Sequence, residues 1–431
     1  MFVGMNVAAR IKIVLLLLAS SLFIFESFFR REFSFFDEFE FALHQTRWTL
    51  FVCLEIWCIV FLFLKWSVAD FFLVFLLFYS ALKAYMGYPE LNCSDCLILF
   101  SGVIFGKIIS LAIGFDRSEM RTYLVGLASL LAFSSFWHLK SFDGSYLGPR
   151  WIGLWNNPND FGVLMGAAFL ISVGLFLRDY NPNIKCFDTS GKSEGKDLKN
   201  NAFALDWRTL QMGILLIVSA IAASGLLFSY SRGSWLGVAF GLVYFGKVFG
   251  KLKWHLVLAL MFIFCLAVWF FWNTPQSDPW VFQRLDFNRG SVLHRLEGWK
   301  ACLEIMLDHP LGVGWNNAVN TYEEDYSAPE GSAAAITTND FLMLGTQVGI
   351  PALFCFIGYV WFRFRKSGHN HQKTVENAEG FSDAEPLGYC DLKTVCRAAV
   401  IAFLVELWFD GCLFKIYSGS IFWILLEMGT V

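Results

Sequence analysis

The chain has 431 residues, of which 56% are hydrophobic and only 16% are charged, and its mean hydropathy is +0.53. Soluble proteins carry roughly 25% charged residues, so this chain has too little polar surface to cover itself in water. Its 33 Lys and Arg residues are balanced by 36 Asp and Glu residues, which excludes a polybasic nucleic-acid binder. Soluble enzymes, disordered chains and disulfide-rich secreted modules are also excluded. The composition predicts an all-α, polytopic membrane protein.

Apolar runs long enough to cross a bilayer as helices, roughly 20 residues, recur along the whole chain. We predict twelve membrane spans, at 12–29, 48–64, 67–83, 95–114, 121–138, 158–178, 209–228, 233–249, 255–272, 338–362, 395–410 and 416–430. The first run follows Arg10 and Lys12 like a signal peptide, but no small-residue cleavage site follows Phe29, which favours a retained helix. The predicted parts of the chain are nine spans in 1–272, an outer loop in 273–337 and three spans in 338–431.

The distribution of Lys and Arg residues predicts which side of the membrane each loop faces. With the N-terminus inside, 20 of these 33 residues lie in inside segments and 12 in outside segments. Because the number of predicted spans is even, both termini are expected to be cytoplasmic. The inside loops 179–207 and 363–393 are rich in Gly, Ser and Lys and are typical of flexible linkers. The outer loop 273–337 has Trp and other apolar residues at helical spacing, so it is expected to form a small helical lid.

Some ionisable residues fall within predicted spans, where a charge is costly and is a candidate functional group. These residues are Glu26, Glu55, Asp70, Lys107 and Glu406. A proton or ion relay would need several of them to converge, and pairing of Lys107 with a neighbouring acid inside the bundle is favoured. Cys93 and Cys96 form a single CxxC pair, for which a disulfide or two free thiols is favoured over a zinc site. No metal site is predicted.

Three arginines lie on the predicted outer side, close to the membrane surface. They are Arg150 in GPRWIGLWNNPNDFG, Arg232 in SYSRGSWLG and Arg295 in HRLEGWKACLEIMLDHPLGVGW. Any one of them could be an interfacial cation, with its aliphatic stem in the membrane and its charged end in water. Arg232 fits that explanation poorly, because its tight turn offers Ser hydroxyls and backbone N–H groups at a helix N-terminus, which are the elements of an anion site. Several arginines at headgroup depth suit a lipid pyrophosphate.

The order of these motifs resembles the O-antigen ligase and polymerase superfamily. The chain has R-x-x-G-x-x-x-N-P-N from Arg150, S-R-G around Arg232 between two helices, and then a long outer loop with R-x-x-x-W and H-P-L-G-V-G. The following segment TTNDFLMLGTQVGIPAL is similar to the part of that family that re-enters the membrane after its large periplasmic loop. The resemblance covers roughly 145–360, and the remaining spans agree only in kind.

The resemblance implies an integral glycosyltransferase of the bacterial inner membrane. Members move a glycan from undecaprenyl pyrophosphate to an acceptor hydroxyl without a metal or other cofactor, so the implied partners are the lipid-linked donor, a glycan or lipid acceptor and membrane lipids. Carried over by motif, Arg232 and Arg295 would hold the pyrophosphate and neutralise its charge, with Asp340 as a further catalytic candidate. The substrate-binding candidates are Arg150, Asn157, Asn159, Ser231, Trp299, Thr338 and Asn339.

One position departs from the family pattern. Ligases of this family typically have a His before the Asn that begins the re-entering helix, and this chain has Thr338 before Asn339. His294, His309 and Asp340 are each available as the general base in its place, and Thr338 is expected to cap a helix that starts at Asn339. The departure weakens the assignment to a ligase acting on the lipid A core. A polymerase, a diverged ligase and another exopolysaccharide transferase therefore stay open.

A flippase or transporter of the same lipid-linked glycans is the alternative from a different class. Such a protein would use intramembrane charges and opposed half-bundles, often related by an internal repeat. This sequence has no convincing repeat, and its large structured loop lies on one side only. The transferase is therefore the favoured hypothesis.

Overall fold

A computed structural model describes residues 7–24, 67–86, 94–114, 116–136, 150–155, 157–180, 198–249, 290–327, 336–376 and 392–430. The predicted spans 48–64 and 255–272, and the acids Glu26 and Glu55, lie outside these residues. Within them every regular element is a helix, which confirms the all-α class. The α-helices are α1 (Val7–Ile24), α2 (Val68–Met86), α3 (Ser94–Ile113), α4 (Arg117–Ser134), α5 (Pro158–Tyr180), α6 (Leu198–Ser229), α7 (Arg232–Phe249), α8 (Gly290–Asp308), α9 (Ala318–Thr321), α10 (Asp340–Gln347), α11 (Ile350–Glu376), α12 (Leu392–Glu406) and α13 (Ile416–Met428), and a π-helical turn covers Tyr322–Tyr326.

Three stretches of these helices are long and apolar enough to cross a membrane. They are Asp95–Ile113 in α3, Pro158–Asp179 in α5 and Thr209–Ser229 in α6. The protein therefore has membrane-spanning helices, and the full number of twelve spans stays a prediction. The predicted span 338–362 is divided in two, because the chain turns between α10 and α11 at Gly349, whose φ of +116° favours glycine.

Helix α5 forms the centre of the described bundle. It packs against α4, α6, α7 and α12, and 94% of its apolar stretch is buried inside the protein. Helix α7 approaches α12 through glycines, since a Cβ on Gly237 would lie 2.6 Å from the carbonyl oxygen of Ala402, and one on Gly241 would lie 2.9 Å from that of Ala398. Such small residues let two helix backbones come close in a membrane. This contact fixes the start of α7 beside the end of α12.

One end of the bundle, which we name the far end, holds a buried network of charged side chains. Lys107 Nζ lies 3.1 Å from Asp70 Oδ1 and 2.8 Å from Glu427 Oε2. Arg363 Nη2 lies 2.8 Å and 3.2 Å from the same two atoms, and Tyr359 donates a hydrogen bond to Glu427. The predicted pairing of Lys107 with a neighbouring acid is confirmed. The network joins α2, α3, α11 and α13, so these charges have a structural role.

The opposite end, which we name the site end, is where α5, α7, α10 and α13 begin. Helix α13 runs between the two ends, from Lys415 just before its start to Glu427 near its end. At 1.5 Å per residue these two positions are about 18 Å apart along the helix. In the predicted orientation the site end faces outward.

Candidate functional site

The site end brings together segments that are far apart in the chain. They are the segment 150–159, the turn between α6 and α7, the start of α10, the helix α8 of the outer loop and the connection 407–415 between α12 and α13. The first four carry the motifs predicted to form the site. The connection 407–415 was not predicted to contribute.

Arg150 ties the first segment to the turn between α6 and α7. The residue is 3% exposed, its Nε donates to the carbonyl oxygen of Ser229 at 2.7 Å, and its Nη2 donates to Asn159 Oδ1 at 2.7 Å. Asn157 Oδ1 accepts from the backbone N–H of Asn159 at 2.9 Å, which fixes the first turn of α5. Arg150 therefore holds the segment 150–159 against the turn between α6 and α7.

Three serines pack the turn between α6 and α7 against the start of α5. A Cβ on Gly162 would lie 2.7 Å from Ser234 Oγ and 2.8 Å from Ser229 Oγ, so only glycine leaves room for this contact. Ser234 Oγ donates to Ser231 Oγ at 2.9 Å, and Ser231 Oγ donates to Glu406 Oε1 at 3.3 Å. Ser231 is buried within the turn. Its hydroxyl therefore fixes the geometry of the turn and does not line the surface of the site.

Arg232 is the first residue of α7, and its side chain is exposed at the site end. The preceding residue, Tyr230, has φ of +50°, an uncommon conformation for a residue with a side chain. Since a helix N-terminus carries a partial positive charge, Arg232 and the helix end together provide a positive surface. This geometry suits an anion.

The connection 407–415 supplies a cation that sequence reasoning missed. Lys415 Nζ lies 2.8 Å and 2.9 Å from the two carboxylate oxygens of Asp160, and 3.4 Å from Asp410 Oδ1. Tyr417 donates to Asp160 Oδ2 at 2.8 Å, and Asn157 Nδ2 donates to Asp410 Oδ2 at 2.7 Å. The available signal was the Asp that follows N-P-N and a single Lys between the last two predicted spans.

Electrostatic interactions keep Lys415 and Asp410 charged. Burial works against the charge of Lys415, but the carboxylates of Asp160 and Asp410 outweigh it and raise the pKa of Lys415 well above its ordinary value. Burial also works against ionised Asp410, but Lys415, hydrogen bonds from both asparagines of N-P-N and the charge of Arg295 together hold the pKa of Asp410 below its ordinary value. Both shifts favour the charged forms of Lys415 and Asp410 that make the ion pair.

The start of α10 is capped by Asn339 and not by Thr338, so the predicted cap is wrong by one residue. Asn339 Oδ1 accepts from the N–H of Leu342 at 3.1 Å, and the helix begins at Asp340. Thr338 is half-buried just outside the helix. Asn and Thr are both good caps, and the side chain that reaches the third helical N–H decides between them.

Asp340 fastens α10 to the connection 407–415. Its Oδ2 accepts from the N–H groups of Cys412 and Leu413 at 2.7 Å and 2.8 Å, and its backbone N–H donates to the carbonyl oxygen of Leu407 at 2.9 Å. Its Oδ1 is buried and has no hydrogen-bond partner within the described part of the chain. One carboxylate oxygen of Asp340 therefore holds α10 to the connection 407–415, and the other has no hydrogen-bond partner among the described residues.

Helix α8 brings the predicted lid residues to the same end. Trp299 packs edge-on against Trp408, with ring centroids 6.3 Å apart, and Trp408 also contacts Phe341 at 5.1 Å. Arg295 is half-buried on α8, and its charge acts on Asp410. His294 and His309 are exposed near the two ends of α8.

Buried polar atoms without a hydrogen-bond partner are frequent at the site end. In the described residues they include Trp155 Nε1, Trp299 Nε1, Asn339 Nδ2, Asp340 Oδ1 and Glu406 Oε2. Buried polar groups are almost always hydrogen-bonded, so each exception needs an explanation. A site that receives a polar ligand or ordered water would supply the missing partners.

The apolar helices and the polar end together define an integral membrane protein of the helical class. Residues 217–357 match the family model described as O-Antigen ligase. This match confirms the resemblance to the O-antigen ligase and polymerase superfamily over that segment, which contains Arg232, Arg295 and the start of α10. Arg150, the N-P-N motif and the connection 407–415 lie outside the matched residues. No curated protein sequence matches the chain.

Proposed function

We propose that the protein is a glycosyltransferase of the bacterial inner membrane that takes its glycan from undecaprenyl pyrophosphate. The observation that carries this proposal is the convergence of the family motifs at one end of the bundle. Arg232, Arg295 and Asp340 come from helices α7, α8 and α10 and lie at the same end, over a hydrogen-bonded base of serines and carboxylates. In the predicted orientation this end faces the periplasm, where the lipid-linked donor presents its glycan.

The proposed reaction forms a bond from the acceptor oxygen to the anomeric carbon of the donor sugar. The bond from that carbon to the phosphate oxygen breaks, the pyrophosphate leaves with the electron pair, and the acceptor proton passes to a base. Because the acceptor attacks opposite the leaving group, the configuration inverts. Pyrophosphate is a good leaving group, so catalysis requires mainly orientation and charge stabilisation.

Arg232 and Arg295 are the proposed phosphate-binding residues. Arg232 lies at the positive end of the α7 dipole, and its planar guanidinium can bind two phosphate oxygens at once. Arg295 lies on α8 at the same end, where its charge acts on Asp410. Lys415 offsets one of the two negative charges of Asp160 and Asp410, and the charge of Arg295 also acts on Asp410, so the repulsion of a pyrophosphate is reduced.

Asp340 is the proposed base, through the oxygen that has no partner among the described residues. Asp340→Asn keeps an oxygen that can accept from the N–H groups of Cys412 and Leu413 but cannot take a proton. We expect this variant to reach normal abundance with strongly reduced turnover. Full activity would move the role to His294 or His309 on the outer loop, and replacing each His by Gln would identify which.

The acceptor distinguishes a polymerase from a ligase, and one experiment separates the two. Purified protein in nanodiscs is incubated with a polyprenyl-pyrophosphate-linked oligosaccharide, with and without a lipid acceptor that carries free hydroxyls. Extension of the donor glycan alone supports a polymerase, and transfer to the second lipid supports a ligase. If neither product forms and the donor is unchanged, the proposal fails.

The transporter alternative receives no support from the charges at the far end. Lys107 and Arg363 form ion pairs with Asp70 and Glu427 within the bundle. A buried pair of this kind holds helices together, and removing one partner is costly. These residues therefore need no ion or proton pathway to explain them.

A further inference from the structure

Helix α8 carries a row of exposed leucines along one face. Leu296, Leu303 and Leu307 are spaced by seven and four residues, which places them on the same side of the helix, and Leu311 continues the row just beyond its end. Their side chains are 52%, 53%, 76% and 60% exposed, in chain order. The opposite face of α8 is buried, through Cys302 and its neighbours.

This row is an unusual surface for a helix that lies in water. Burying a single Leu side chain is worth about 1.5–3 kcal/mol relative to leaving it exposed. A contiguous apolar patch of this kind marks a surface that another apolar phase or partner covers. Since α8 belongs to the outer loop, the available environments are water, a protein partner and the membrane surface.

The chain that follows α8 is fastened to the outer ends of two membrane helices. Tyr79 of α2 donates its hydroxyl to the carbonyl oxygen of Leu311 at 3.1 Å, and Lys83 donates to that of Gly312 at 3.1 Å. The first residue of α11, Ile350, donates its N–H to the carbonyl oxygen of Pro310 at 3.0 Å. The end of the leucine row therefore lies where α2 ends and α11 begins.

Helices α2 and α11 each have an exposed apolar stripe that extends to the end of the helix near Leu311. The stripes are Phe71, Phe75, Phe78 and Leu82 on α2, and Ile350, Phe354, Ile357 and Trp361 on α11. Each stripe repeats at helical spacing within a predicted membrane span, so acyl chains are its natural environment. Leu311, at the end of the leucine row, lies beside the outer ends of both helices.

We propose that α8 is an interfacial helix whose leucine row is embedded in the outer boundary of the same bilayer. An amphipathic helix binds in this way with its apolar face several ångströms below the headgroups. Lys300 is exposed between Leu296 and Leu303 and can extend its amine to the headgroups while its stem stays in the apolar layer. The acyl chains of the bilayer, rather than a second protein, are the partner of this face.

The first test uses the unmodified protein. The chain is reconstituted in vesicles of phosphatidylglycerol and phosphatidylethanolamine that contain a phospholipid with a diazirine on its acyl chain, irradiated and mapped by mass spectrometry. We expect adducts on Leu303, Leu307 and Leu311 as well as on the stripe of α2, which serves as the internal positive control. Adducts on α2 without any on the leucine row would overturn the proposal.

The second test compares two positions of α8 that face opposite environments in the proposal. An environment-sensitive fluorophore is attached to Leu307→Cys or to Asp308→Cys, both of which are exposed in the protein and lie about 100° apart around the helix, in a background without other reactive thiols. We expect nitroxide lipids to quench the probe at 307 severalfold more than the probe at 308, and aqueous iodide to show the reverse order. Equal iodide quenching would place α8 in water, and shielding of 307 from both quenchers would indicate a protein partner; either result contradicts the proposal.

Discussion

Arg150 and Arg232 show how two arginines of similar sequence context take different roles. Arg150 is buried, and its guanidinium binds a carbonyl oxygen of the α6–α7 turn and the side chain of Asn159. Arg232 is exposed at the start of α7. The buried Arg150 supports the site, whereas Arg232 lies exposed at a helix N-terminus, a position that suits a phosphate.

The charge and the shape of Arg232 can be separated by substitution. Arg232→Lys keeps the cation but loses the planar fork that binds two phosphate oxygens. We expect Arg232→Lys to be nearly as inactive as Arg232→Ala in glycan transfer, at normal membrane abundance. Arg117 is the matched control, because it is also exposed as the first residue of a helix, α4. Arg117→Lys and Arg117→Ala should both stay active, and full activity of Arg232→Lys would contradict the phosphate-binding role.

Lys415 is expected to be essential for stability. Replacing it with Met leaves Asp160 and Asp410 as buried carboxylates without their cation, and breaking a buried pair in this way costs about 3–5 kcal/mol. We expect Lys415→Met to lower the thermal unfolding temperature in detergent by several degrees. The exposed Lys300 is the control, and Lys300→Met should unfold like the parent protein. An unchanged unfolding temperature for Lys415→Met would show that the pair contributes little.

At the scale of helices, glycines determine how α7 reaches the site. A Cβ on Gly237 would lie 2.6 Å from the carbonyl oxygen of Ala402, so α7 can lie against α12 only if this position has no side chain. The contact places Ser231, in the turn before α7, within hydrogen-bond distance of Glu406. Helix packing and site geometry therefore depend on the same residues.

A larger side chain at Gly237 is expected to separate the two helices. Overpacking a close contact costs about 1–3 kcal/mol, and displacement of α7 also moves Arg232. We expect Gly237→Leu to lower both thermal stability and glycan transfer. Gly213 of α6 offers the control, because a Cβ there meets no neighbouring atom of the described residues within 4 Å, so Gly213→Leu should leave both unchanged. Normal stability of Gly237→Leu would show that the α7–α12 contact is not tight.

The sequence predicted the helical class and the side of the bundle to which each motif belongs. Alternation of spans places Arg150, Arg232 and Asn339 at one end, and the structure has them there. The pair of Lys415 with Asp160 could not be predicted, since the two residues are 255 positions apart and Asp160 resembles an ordinary acid in a first helical turn. Pairing between distant elements is decided by tertiary packing, which local patterns do not contain. The same limit applies to the partition of 338–362 into α10 and α11, which depends on the contact of Gly349 with the backbone of Leu311.

For the whole molecule, the proposed function requires the site end to face the periplasm. Ser231 is buried, so exposed positions are the better reporters: Glu324 in the outer loop and Ser118 at the start of α4. In a background without other reactive thiols, Glu324→Cys should react with an impermeant maleimide added to intact spheroplasts. Ser118→Cys should react only after lysis. The opposite pattern would reverse the orientation and remove the site from the side that holds the glycan.

The proposed function requires the site end to cleave the bond between a glycan and a polyprenyl pyrophosphate. This cleavage is measured as the amount of free polyprenyl pyrophosphate that the purified protein releases in nanodiscs from a labelled lipid-linked oligosaccharide. We expect one molecule of polyprenyl pyrophosphate to be released for each glycan transferred, and almost none with Arg232→Ala. Intact donor after incubation with a folded protein and a competent acceptor, or equal release by Arg232→Ala, would contradict it.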